Sequence, residues 1–76
     1  MDKLSIVQLL LARQADANVR AKDGQTPLHV AADHKNKKII RALVACKADP
    51  KVKDKKGKTP VDLAGNRQEI VEALLS

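Results

Sequence analysis

His29, His34 and Cys46 are the side chains of this 76-residue sequence that could reach furthest chemically. Imidazoles and thiols hold metal ions, move protons and attack electrophiles. Their spacing argues against each of these. The two histidines are spaced i, i+5, which on a helix turns their rings to different faces, and no second cysteine exists to complete a zinc set. No neighbouring base or nucleophile accompanies either histidine, and the chain contains neither a Ser/His/Asp constellation nor a glycine-rich phosphate loop. The sequence therefore points away from an enzyme, with no catalytic residue, no metal and no cofactor. Cys46, the only cysteine, cannot close an internal disulfide, and residues 1–5 do not form a charged leader before an apolar stretch. Both features favour an intracellular setting, cytoplasmic or nuclear.

The remaining chemistry is electrostatic. Lys51, Lys53, Lys55, Lys56 and Lys58 crowd one short stretch of a chain whose net charge is +6. Residues 33–58 hold ten basic side chains against three acidic ones, so this middle section carries +7, while residues 1–32 carry +1 and residues 59–76 carry −2. Such a run is either a solvated, solubilising loop or a footprint for an acidic partner. Phe, Tyr and Trp are absent, which removes the platforms on which single-stranded nucleic acid stacks. Apolar runs such as residues 9–12 fall far short of a membrane span.

A repeat supplies the elements that must position these residues. Asp23-Gly24-Gln25-Thr26-Pro27-Leu28 returns as Lys56-Gly57-Lys58-Thr59-Pro60-Val61, 33 residues later. At the same offset Ile6 matches Ile39, Leu10 matches Leu43, Val19 matches Val52 and Ala31 matches Ala64. A third copy appears at an offset of 31, where Ile70-Val71 and Leu74-Leu75 match Ile39-Ile40 and Leu43-Val44. Self-similarity at this period marks an all-α repeat solenoid whose units cannot bury their apolar faces alone. Each Thr-Pro pair reads as a helix start, with threonine capping free amides and proline at the first helical position. A polar break follows each short helix, then a second apolar run at helical spacing, in which Ile39, Ile40, Leu43 and Val44 form one stripe. Residues 4–11 repeat that second helix, so the chain starts in mid-unit. Between units lie segments with a buried-type valine and a turn glycine, which read as protruding hairpin-like loops.

These residues, Gly-x-Thr-Pro-Leu-His-x-Ala-Ala followed by two helices and Ala-Asp-x-Asn, resemble the ankyrin repeat. The resemblance runs from about Leu4 to Leu75. It implies antiparallel helix pairs stacked side by side with loops projecting at right angles, and a single domain divided into a partial repeat at 1–21, a complete repeat at 22–54 and a shortened C-terminal repeat at 55–76. It implies that His29 is structural, bonding the threonine hydroxyl and nearby backbone. Asn18 becomes a turn residue of a type that in some members is a target of oxygen-dependent hydroxylation. The chain departs from the pattern at Gln14 and Lys47, where the family usually places glycine after the second helix, at Lys35 between the helices, and at Asp62, which replaces the histidine as terminal repeats often do. Arg67, Gln68, Glu69 and Glu72 give the last helix the polar outer side of a cap.

The resemblance also implies a function: a protein-binding scaffold using a concave loop and inner-helix face. The family's contact positions fall here on Lys22, Asp23, Gln25, Asp33 and His34, and on Lys55, Lys56, Lys58 and Asn66. Lysines at four of these suggest an acidic partner. The alternatives are nonspecific binding of nucleic acid or another polyanion through the basic loops, and a regulatory segment of a larger protein. The first helix lacks a partner helix before it, so Leu4 and Leu9 are expected to be covered by another copy or by upstream repeats.

Overall fold

The computed structural model describes residues 3–13, 16–65 and 67–75. Its helices are α1 (Lys3–Ala12), α2 (Pro27–Asp33), α3 (Lys37–Ala45), α4 (Pro60–Ala64) and α5 (Gln68–Leu75). No strand forms among the described residues. Helices α2 and α4 pack on each other as one row, while α3 packs on α5 and α1 leans on both α2 and α3 as the other. The expected solenoid of helix pairs is the observed architecture.

Local chemistry fixes where these short helices begin. Thr26 and Thr59 are extended residues whose hydroxyls accept the amides of His29 and Asp62, at 3.4 and 3.1 Å. In return the His29 ring and the Asp62 carboxylate accept the amides of Thr26 and Thr59, at 3.0 and 2.9 Å. Each pair closes a capping box, with proline next in line where no amide partner exists. Asn36 caps α3 by accepting the Ile39 amide at 3.1 Å.

Packing follows from the repeat. Leu28, Ala31 and Ala32 of α2 are fully buried, as are Ile40 and Leu43 of α3, Ala64 of α4, and Ile70 and Leu74 of α5. Alanines let the two rows of helices approach closely, and branched side chains fill the space between them, which is how a chain with no aromatic residue builds a core in thin layers.

Two lysines hold left-handed backbone where glycine is the ordinary choice. Lys35, after α2, has φ 54°, and Lys47, after α3, has φ 68°. Both close the helix in the same manner. The amides of Asn36 and Ala48 donate to Ala31 and Leu43, five residues back, and those of Lys35 and Lys47 donate to Ala32 and Val44. After α4 the chain turns differently, at Gly65 with φ 66° and ψ −137°, whose amide donates to the Asp62 carbonyl. Gln14, read from the sequence as another departure of this kind, lies outside the described residues.

Replacing Lys47, whose side chain is exposed, by glycine is expected to stabilise the protein by about 1 kcal/mol, the left-handed penalty less the extra freedom of glycine in the unfolded chain. Lys35→Gly should gain less, because the Lys35 ammonium donates to the carbonyls of Asp33 and Leu63, both at 3.4 Å, and those bonds would be lost. Urea melts followed by circular dichroism compare the two; a greater gain at Lys35 would contradict the assignment.

Candidate partner-binding surface

Two loops stand at the Thr-Pro end of the inner helices. In the first, the Ala21 amide donates to Gln25 and the Gly24 amide to Ala21; in the second, Asp54 donates to Lys58 and Gly57 to Asp54, every bond at 2.9 Å. Each loop is thus a three-residue reversal closed by a left-handed glycine, with φ 81° at Gly24 and 77° at Gly57. The loops are joined side by side through the Lys55 amide, which donates to the Asp23 carbonyl at 3.0 Å. At that junction a Cβ on Gly24 would lie 2.9 Å from the Lys55 nitrogen, so the close approach of the loops requires glycine there.

Asp54 organises the second loop. It is buried, its Oδ1 accepts the amides of both Lys56 and Lys58 at 2.9 Å, and its Oδ2 accepts Gln25 Nε2 at 3.5 Å. The Lys58 amide is foremost in holding its carboxyl below the usual aspartate range, with Gln25 and the Lys56 amide adding to the effect and burial opposing it. The lysine amides therefore face inward, while the side chains of Lys55, Lys56 and Lys58 stand in solvent.

Further bonds join the units. His29 is fully buried, and its Nε2 lies 2.8 Å from the Lys58 carbonyl. A carbonyl only accepts, so Nε2 carries the ring proton; Nδ1 is then the acceptor for the Thr26 amide and hydroxyl, at 3.0 and 2.9 Å. Both ring nitrogens are engaged in structure, as the resemblance implied. Arg20 donates through Nη2 to the Lys53 carbonyl and through Nε to that of Gly24, the latter at 3.3 Å. Asn18 donates through Nδ2 to the Lys47 carbonyl at 3.2 Å and accepts the Asp49 amide on Oδ1 at 2.8 Å, so it ties one turn to the next.

The contact positions expected from the sequence divide into two groups. Lys22, Asp23, Gln25, Lys55, Lys56 and Lys58 come together on the paired loops, with Gln25 half-buried and the others exposed. Asp33 and His34 lie at the opposite end of α2, about 10 Å away by the rise of a seven-residue helix. Both are exposed, although His34 Nδ1 is 2.9 Å from the Val30 carbonyl and donates to it. Asn66 falls outside the described residues. Cys46 is exposed at the end of α3. Among the described residues no three His, Cys, Asp or Glu side chains converge on a common point, and no helix is long and apolar enough to cross a membrane. The residue that sequence reasoning passed over is Asp54. Its signal was available: an Asp-Lys-Lys-Gly turn where the preceding unit has alanine at position 21.

Helix pairs in register, loops joined side by side and side-chain links from one unit to the next define a repeat solenoid. The chain belongs to the ankyrin repeat family: the family model described as ankyrin repeats (3 copies) matches residues 1–76. Such repeats mediate protein–protein interaction. Among solved structures the chain is similar to the ankyrin repeat domain of Bcl-3, a unique member of the IkappaB protein family, at 32% identity and a TM-score of 0.80. The match covers 96% of this chain but 32% of that one, so the chain spans about a third of the solved domain. No curated protein matches.

Because Asp54 is shifted downward, its contribution to stability is complete above the ordinary aspartate range, near pH 4, and is lost as pH falls through its lowered folded value. Asp62, held low first by the Thr59 amide, acts in the same direction. Stability measured by urea melts should therefore decline between about pH 5 and pH 2, and Asp54→Asn should reduce that decline; an unchanged pH profile would remove Asp54 as the anchor. In the same assay Gly24→Ala should cost more than Gly57→Ala, since both lose left-handed freedom but only Gly24 meets another backbone.

Proposed function

We propose that this chain is a binding scaffold for a protein with an acidic surface, which it engages through the paired loops and the far end of α2. Lys22, Lys55, Lys56 and Lys58 supply the charge, Asp23 and Gln25 lie among them, and Asp33, His34 and Asn66 extend the surface. One observation carries this reading: three exposed lysines sit on a loop whose backbone is already pinned by a buried carboxylate. A partner meeting that loop has no backbone to order, so more of the interaction energy is left for binding. The repeat boundaries at 22–54 and 55–76, after a partial unit at 1–21, belong to the same reading, as does an intracellular location.

Lysine side chains facing solvent give charge without base readout, so nucleic acid is expected to bind weakly and without sequence preference. Reversing Lys55, Lys56 and Lys58 to Glu should weaken capture of the partner in a pull-down and flatten its salt dependence. Three exposed ion pairs at about 0.5 kcal/mol each amount to roughly a tenfold loss. A Glu-rich labelled peptide and a duplex oligonucleotide of equal charge, titrated in parallel at physiological salt, separate the two ligand classes. Tight, sequence-selective binding of the duplex would overturn the scaffold reading, and unchanged capture by the triple variant would take the loop out of it.

A further inference from the structure

The two loop tips share one backbone and differ in charge. Each closes with the same pair of amide-to-carbonyl bonds, given by Ala21 and Gly24 in the first and by Asp54 and Gly57 in the second. Side chains 33 positions apart therefore leave the loops in the same direction, which sets Lys22 beside Lys55, Asp23 beside Lys56 and Gln25 beside Lys58. Across residues 22–25 the charges of Lys22 and Asp23 cancel, whereas residues 55–58 carry +3. The contrast does not depend on what lies beside the first loop, because Lys55 and Lys56, with that loop against them, are exposed as Lys22 and Asp23 are. Asp23 is held at its tip, where Oδ1 accepts the Gln25 amide at 3.0 Å. The loops lead into α2 and α4, which pack on each other. Packed helices stand about 8–10 Å apart, so equivalent side chains on the two tips are separated by about three residues of extended chain.

We propose that the paired loops select a bipolar segment of the partner, with a run of carboxylates over Lys55, Lys56 and Lys58 and, about three residues away, a basic side chain over Asp23. The inference rests on the reading of these loops as a surface for an acidic protein, and it adds an order of charges to that reading. Attraction by net charge alone would favour the most acidic ligand for a chain of +6. Asp23 works against that choice, since it repels a carboxylate placed over it and attracts a lysine or arginine there. Both signs stand on fixed frames: left-handed glycines close the two turns, Asp54 pins the second, and the Lys55 amide ties it to the Asp23 carbonyl at 3.0 Å. Mobile loops would average the two signs, whereas these present them at a set spacing.

Labelled peptides test this, each with a run of Glu and a single Lys about three residues before or after it, and each matched by a version with Gln in place of the Lys. They are titrated at low ionic strength, where exposed charges are least screened. In one of the two orders the Lys peptide should bind about twofold tighter than its Gln version, the worth of one exposed ion pair, although it is the less acidic of the two. Asp23→Asn keeps an acceptor for the Gln25 amide and should remove the preference. Asp23→Lys should reverse it. Gln versions that bind as well as or better than Lys versions in both orders overturn the inference, as does a preference for Lys that survives Asp23→Asn. If Lys55→Glu, Lys56→Glu and Lys58→Glu together still weaken binding in that case, the acid-binding reading stands without the order of charges. Binding of every peptide that is indifferent to the triple variant overturns both.

Discussion

The imidazole of His29 is the point at which one unit becomes two. It closes the cap of its own helix through Nδ1 and holds the next loop through Nε2–H to the Lys58 carbonyl. Helix start, loop position and interunit register therefore depend on one ring in one tautomer. A seven-residue helix has little stability of its own. The capping box, the buried Leu28, Ala31 and Ala32, and the link through His29 make it a stable element only when its neighbours are present.

The last unit shows what happens when that outward arm is absent. Asp62 stands in the equivalent position and completes the same box with Thr59, but a carboxylate two bonds from the backbone ends its reach there. Polar side chains then cover the outer side of α5, and Leu74 is buried as fully as Leu43.

Much of this was legible in the sequence because the signals were local and duplicated. Thr-Pro at 26–27 and again at 59–60 marked both inner helices, and the stripe from Ile39 to Val44 marked the outer one, since capping and amphipathic spacing act within a few residues. The left-handed turns at Lys35 and Lys47 could be read from the places where the repeat led one to expect glycine. The links of Asn18 to Lys47 and of Arg20 to Lys53 could not, because each is a side-chain choice of carbonyl about 30 residues away, and many side chains would satisfy the same pattern.

Asp54 grips the amides of residues 56 and 58, and every amino acid except proline carries an amide. The second loop thus keeps its outline while the side chains on it are free to change. Substitutions at 55, 56 and 58 change the charge and shape the loop presents without requiring the core or the helix caps to be rebuilt. Revising such a surface is a matter of rewriting a few letters on a fixed frame, and the constraint that preserves the frame falls on a residue that stands behind it.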